Sequence, residues 1–311
     1  MSTIKDELSN ISLDIRNVID KKQKELELSF VEDTHTYYIK NKEGVIISNL
    51  PSVSSVITQF YEPFDDLTKS LDMCGGDIVL QDSLLKEWRA TADYANNRGS
   101  RVHYLLETDL LKMYGSYKQV RKPIFDCDSE QIMTGNNMID AGHDFIRAMH
   151  RRGAVLLDTE MVLGSIDLGY TGQPDKVWLM YDKNGNLGFV ITDWKTNKPK
   201  NFEIQAWTVP MLPPFDRYDD TALTHYKIQL PLYGRLILDM LKGTKYENIK
   251  FFGCVIVHLL AERKYVEYRV EQNFIDIIMS MNPVERMKEV KAYKQRQADR
   301  EIMRVKLLIN G

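Results

Sequence analysis

The order of apolar and polar positions divides this chain of 311 residues into a readable series of elements. Near the start, Ile4, Leu8, Ile11, Ile15 and Val18 recur at spacings of four and three, the repeat of one apolar helix face. Such a helix either caps a core or pairs with another helix, so residues 1–30 are read as an N-terminal amphipathic helix and a surface for a protein partner. Residues 31–49 predict a hairpin turning at Asn41-Lys42-Glu43-Gly44. Helices are predicted around 52–61, 84–112, 129–151 and 221–241, with a charged helix over 283–309. Apolar and β-branched runs predict strands over 154–164, 175–181, 188–194, 250–259 and 264–270. Because the helix over 221–241 lies between two strands, the expected class is α/β, a mixed central sheet flanked by helices. Residues 199–220 break the pattern, mixing Pro199, Pro210, Pro213 and Pro214 with Phe202, Trp207, Phe215 and Tyr218. Loops of that length are usually functional or mobile. Their aromatics either stack unpaired bases or pack under the loop.

Composition narrows the class. Length and ordinary apolar and charged fractions suit one main domain with extensions. No apolar run reaches the roughly 20 residues of a membrane span, and Asp6 and Glu7 near the start do not suit a signal peptide. No membrane association is expected. Cys74, Cys127 and Cys254 form no C-x-x-C pair, which suits a reducing, cytoplasmic compartment and offers neither a zinc site nor a four-cysteine iron–sulfur cluster. Asp182, Asn184 and Asn186 imitate an EF-hand loop, but Leu187 stands where that loop needs glycine. The net charge of −3 argues against indiscriminate coating of nucleic acid. Any DNA contact must then be local, with Arg98, Arg101 and Lys198 as candidates, each of which reads as a solvated charge before it reads as a phosphate contact.

The chemistry concentrates in Gly172-Gln173-Pro174-Asp175 and Asp193-Trp194-Lys195-Thr196. Between them two β-rich runs flank Asp182-Lys183-Asn184-Gly185-Asn186, strong turn chemistry, so the segment reads as a hairpin. Its midpoint is Asn184, which sets Asp175 roughly opposite Asp193. Like charges so placed, roughly 4.5 to 5.5 Å apart, are destabilising and call for a cation between them. Lys195, two residues beyond Asp193, shares its face of the strand. Paired carboxylates and an ammonium suit metal-assisted phosphodiester hydrolysis.

That order of motifs resembles the PD-(D/E)XK nuclease superfamily, with Pro174-Asp175 and Asp193-Trp194-Lys195 as its two defining pieces. Gln229-Leu230-Pro231-Leu232-Tyr233 is similar to the Q-x-x-x-Y element of its RecB-like exonuclease branch, and Arg98 to Glu107, with Val102-His103, to that branch's histidine motif. Thr36-Tyr37-Tyr38-Ile39 and Pro51 to Ile57 also look like phage and mitochondrial genome-maintenance exonucleases of this type. The resemblance implies a restriction-endonuclease-like core over residues 31–275, with the N-terminal helix and a charged C-terminal helix, 276–311, as additions. It implies a metal-dependent DNA exonuclease acting on single-stranded ends, in replication, recombination or repair, in a bacterial or phage-infected cell. Asp175, Asp193, His103 and the Trp194 carbonyl would hold Mg²⁺ or Mn²⁺, Lys195 would position the attacking water, and Gln229 and Tyr233 would assist catalysis. Glu107 either orients His103 or pairs with an arginine, Gln229 and Tyr233 either serve the site or pack a helix, and the spacing leaves the side of Glu160 open. The same core serves structure-specific endonucleases, and a DNA-binding module without catalysis is the reading from a different class.

Overall fold

The computed structural model describes residues 2–31, 34, 36–41, 43–48, 50–115, 120, 122–202 and 208–310. Helix α1 (Ser2–Glu25) buries Leu8 and Ile15, as its apolar repeat predicts, and Ile19 rather than Val18. Strands β1 (Ser29–Val31), β2 (Thr36–Lys40) and β3 (Ile46–Ile47) form a small antiparallel sheet, so the predicted hairpin gains a leading strand. Helix α2 (Val53–Ile57) starts where the Ser52 side chain accepts the Ser55 N–H and continues into a 3₁₀ turn over Thr58–Phe60. Helix α3 (Asp66–Met73) was not foreseen. Helix α4 (Ile78–Met113) begins earlier than its apolar repeat indicates, because the Asp77 carboxylate caps the N–H groups of Val79 and Leu80. Helix α5 (Ser129–Arg151) opens with a reciprocal capping box between Asp128 and Gln131.

Strands β4 (Val155–Thr159), β5 (Leu163–Ser165), β6 (Tyr170–Gly172), β7 (Lys176–Tyr181) and β8 (Leu187–Lys195) follow. After them come α6 (Ala222–Leu241), β9 (Lys250–Leu260), β10 (Lys264–Arg269), α7 (Gln272–Ser280) and α8 (Pro283–Asn310). The single strand expected over 154–164 is broken at Glu160, whose φ of 45° turns the chain out of extended geometry. Its two halves join different sheets, β4 the central one and β5 a two-stranded ribbon with β6.

The central sheet has the order β10-β9-β8-β7-β4. All its pairs are antiparallel except β8 with β9, which α6 links by a crossover. Alternation sends Val177, Leu179, Phe189 and Ile191 to one face, where α1, α2, α6 and α7 cover them. Trp178, Trp194, Val257 and Leu259 point to the other, against α4 and α5. Gly142 lets α4 and α5 close up, since a Cβ there would lie 2.6 Å from a Leu106 methyl. Each fully buried large side chain contributes roughly 1.5 to 3 kcal/mol, whereas an exposed ion pair such as Lys86–Asp82 is worth about 0 to 1 kcal/mol. The two-sided core therefore holds the sheet that carries the site. The boundary read at 275/276 falls inside α7, whose Phe274, Ile275 and Ile278 belong to that core. Among the described residues no helix is long and apolar enough to cross a membrane.

Candidate active site

The β7–β8 hairpin pairs Lys176 with Thr192 and Tyr181 with Leu187. Its turn is tied by the Asp182 carboxylate, which accepts the N–H groups of Asn184 and Asn186 at 2.8 Å each. One further step in the same register sets Asp175 across from Asp193, the symmetry about Asn184 that the sequence implies. Asp175 occupies the bend just before β7. Two donors converge on its Oδ2, the Trp194 N–H at 3.2 Å and Lys176 Nζ at 3.3 Å, and His103 Nδ1 lies 3.3 Å from the same oxygen. Burial alone would raise its pKa, but Lys176, then His103 and Lys195, outweigh that and hold the carboxyl well below the usual range.

Asp193, 3% exposed, meets the Lys195 ammonium at 2.6 Å through an Oδ2 that has no well-aligned hydrogen bond. It is pushed up to about 6, by burial first and by Asp175 second. Two carboxylates that split in this direction are the signature of like charges sharing one site. Burial would lower Lys195, but Asp193, Tyr226 and Asp175 hold it above its ordinary value, so it remains an ammonium. Its Nζ lies 4.1 Å from the centre of the Tyr226 ring, and the Tyr226 hydroxyl donates to Asn197 at 3.4 Å. His103 is held below the ordinary imidazole range by burial, with Asp175 opposing.

His103, Trp194, Lys195 and Tyr226 line a cleft of ≈ 770 Å³ together with Glu107, Glu160 and Gln173, while Asp175 and Asp193 lie behind them and are not among its lining residues. Glu107 accepts a hydrogen bond from the Thr159 hydroxyl at 3.0 Å, which fixes it against β4. Glu160, whose side the spacing left open, faces the cleft. Its turned backbone donates to the Asp175 carbonyl at 3.1 Å and its carbonyl accepts from Gln173 at 3.2 Å. Tyr233 and Gln229 do not line the cleft: Gln229 donates to the Tyr233 hydroxyl at 2.9 Å, and the buried Tyr233 ring lies against Gly172. Burial, then the nearby carboxylates, raise Tyr233 well above its ordinary value, so the pair backs the site as a neutral support.

Other assignments change. Arg98 is 8% exposed and donates to the Thr196 carbonyl at 3.0 Å, so it ties α4 to the strand end and is not presented to a phosphate. Arg101 donates to Asn136 at 2.8 Å and is turned toward α5. Phe215 is fully buried, edge-on to Phe60 at 5.1 Å and stacked on Phe274 at 6.0 Å, which removes it from any base-stacking surface. Trp207 lies outside the described residues. Lys198 is exposed just beyond Asn197 at the cleft edge. Sequence reading missed Tyr226, although its position three residues before Gln229 and seven before Tyr233 puts it on the same helix face. It also missed Lys176 and Thr159, whose roles arise from contacts between elements.

Two carboxylates, an imidazole and an adjacent backbone carbonyl form a donor set suited to a hard divalent cation. Among the described residues no three His, Cys, Asp or Glu side chains converge into a ready-made cage. Water or substrate oxygens would therefore have to complete the coordination, as Mg²⁺ commonly requires. No protein-family model matches the chain, and no curated protein matches it.

Proposed function

We propose that the chain is a metal-dependent deoxyribonuclease built on a PD-(D/E)XK-type core, hydrolysing phosphodiester bonds from single-stranded ends. The observation that carries this reading is the pair Asp175 and Asp193 facing each other across the hairpin, with Lys195 Nζ 2.6 Å from Asp193, beside an open cleft. Asp175 and Asp193, with His103 and the Trp194 carbonyl, would hold Mg²⁺ or Mn²⁺. Such a cation supplies Lewis acidity and makes water a nucleophile at neutral pH. Lys195, fixed as a donor between Asp193 and the Tyr226 ring, orients the attacking water or a phosphate oxygen. His103 holds Asp175 in place from α4. Glu107, anchored by Thr159, and Glu160 add negative charge to the cleft, which repels a phosphate until a cation offsets it. Gln229 and Tyr233 position the carboxylates from behind. The preference for single strands and for ends rests on the resemblance of the four motifs.

The test is cleavage of end-labelled single-stranded DNA with Mg²⁺, comparing the wild type with Asp175→Asn and Asp193→Asn. Each variant should lose at least about a hundredfold in rate while still binding DNA, because the charged ligand is gone and phosphate repulsion is relieved. Normal cleavage by both variants would put the chemistry elsewhere. DNA binding without cleavage by the wild type under any divalent metal would favour a binding module.

A further inference from the structure

Lys176 has no part in the chemistry above, yet it is 3% exposed beside it. It occupies the strand face that also carries Trp178, and its Nζ sits 4.5 Å from the centre of the Trp194 ring. A neutral methionine would fill that space among apolar neighbours without the desolvation penalty of an ammonium. The charge is instead directed at one atom, the Asp175 Oδ2 at 3.3 Å, the oxygen already held by the Trp194 N–H and adjoined by His103. Lys195 offsets Asp193 in the same way, at 2.6 Å. Each buried carboxylate thus has its own lysine, and the two lysines approach from opposite faces of the sheet.

We propose that Lys176 is a built-in counter-cation and positioning residue: it compensates and orients Asp175 while the site lacks a divalent metal, and opposes metal binding by like charge. This inference rests on the metal-dependent reading of the site. The Trp194 ring gives the ammonium a seat that does not depend on Asp175. The consequence is a site that is stable when empty and takes up metal weakly and reversibly.

The experiment is Mn²⁺ titration by calorimetry, with thermal unfolding in chelator and in Mn²⁺, on the full chain and its Lys176→Met, Lys176→Gln and Lys176→Arg variants. Both neutral variants should unfold at a lower temperature than wild type in chelator, bind Mn²⁺ at least about fivefold more tightly, and be stabilised more by it. Lys176→Arg, which keeps the charge, should bind Mn²⁺ as the wild type does. A role in packing alone would lower the unfolding temperature without tightening Mn²⁺ binding, and that result would overturn the proposal. Tightening in Lys176→Arg equal to that in Lys176→Met would overturn it too, as would failure of both neutral variants to fold even with Mn²⁺ present. If the wild type takes up no Mn²⁺ at all, the metal-dependent reading falls and the counter-cation falls with it. If the wild type binds and the neutral variants show no gain, only the counter-cation is lost.

Discussion

Gly172→Ala tests how tightly the site is braced from behind. A Cβ at this position would stand 2.6 Å from Tyr233 Cε1, 2.8 Å from Val53 Cγ2 and 2.9 Å from Tyr233 Cδ1, against about 3.5 to 4.0 Å for a comfortable carbon contact. None of the neighbours has room to give way. Val53 is 1% and Tyr233 6% exposed, the Tyr233 hydroxyl is held by Gln229, and Gly172 is itself paired with Leu163 in the β5–β6 ribbon. Overpacking of this kind costs about 1 to 3 kcal/mol, which for a chain of this size lowers the unfolding midpoint by roughly 2 to 6 °C. Urea unfolding followed by tryptophan fluorescence measures the loss, because Trp178 and Trp194 are fully buried in the sheet. In a Tyr233→Leu background the same alanine should cost about 1 kcal/mol less, since the ring it collides with is gone. A loss below about 0.5 kcal/mol in the wild-type background, or strict additivity in the double variant, would refute the contact.

Phe215→Ala should cost about 3 to 5 kcal/mol of stability, and any molecules that remain folded should bind single-stranded DNA as before; weakened binding at unchanged stability would return the ring to the DNA surface. Lys198→Ala should reduce the slope of log affinity against log salt by about one if it meets a phosphate. Arg98→Ala should leave that slope unchanged and lower stability by about 1 to 3 kcal/mol through its lost bond to the Thr196 carbonyl. His150, 2.6 Å from the Tyr114 hydroxyl, is lowered from 6.5 by burial first and by Lys5 second. Its neutral form therefore adds stability that is full above about pH 6.5 and is lost as pH falls through the lower folded value. The drop in unfolding temperature between pH 7.5 and 5.0 should shrink in His150→Gln, and an unchanged drop would count against this assignment.

Local chemistry made much of the fold legible. The Asp182 turn and the symmetry about Asn184 fixed the hairpin register, because a turn of that kind leaves no freedom to slip. The 3.6-residue repeat located α1, α5 and α6 for the same reason. Strand β6 escaped because three residues are too few to carry a period, and α3 because its exposed Leu67 and Met73 do not mark an inward face. The burial of Phe215 depends on Phe60 and Phe274, both distant in sequence, so an aromatic in a proline-rich loop reads equally as packed or presented. Lys176 reads as the polar start of a strand, and only the Trp194 ring arriving from β8 turns it into a buried charge. Arg98 was misread because a basic residue beside the histidine motif suits a phosphate contact, while its true partner is a backbone carbonyl at the end of β8.

The measurement that bears most directly on the central claim is a time course on end-labelled linear and on circular single-stranded DNA of one sequence, with Mg²⁺ and with excess chelator, for the wild type and Lys195→Ala. The account predicts that the linear strand is degraded in Mg²⁺ and the circle survives. Chelator should stop the reaction, and Lys195→Ala should lose turnover without any loss of Mn²⁺ affinity, since an ammonium is not a ligand. Equal loss of circle and linear strand would replace the exonuclease by an endonuclease. Undiminished cleavage in chelator, or by Lys195→Ala, would contradict the site described between Asp175 and Asp193.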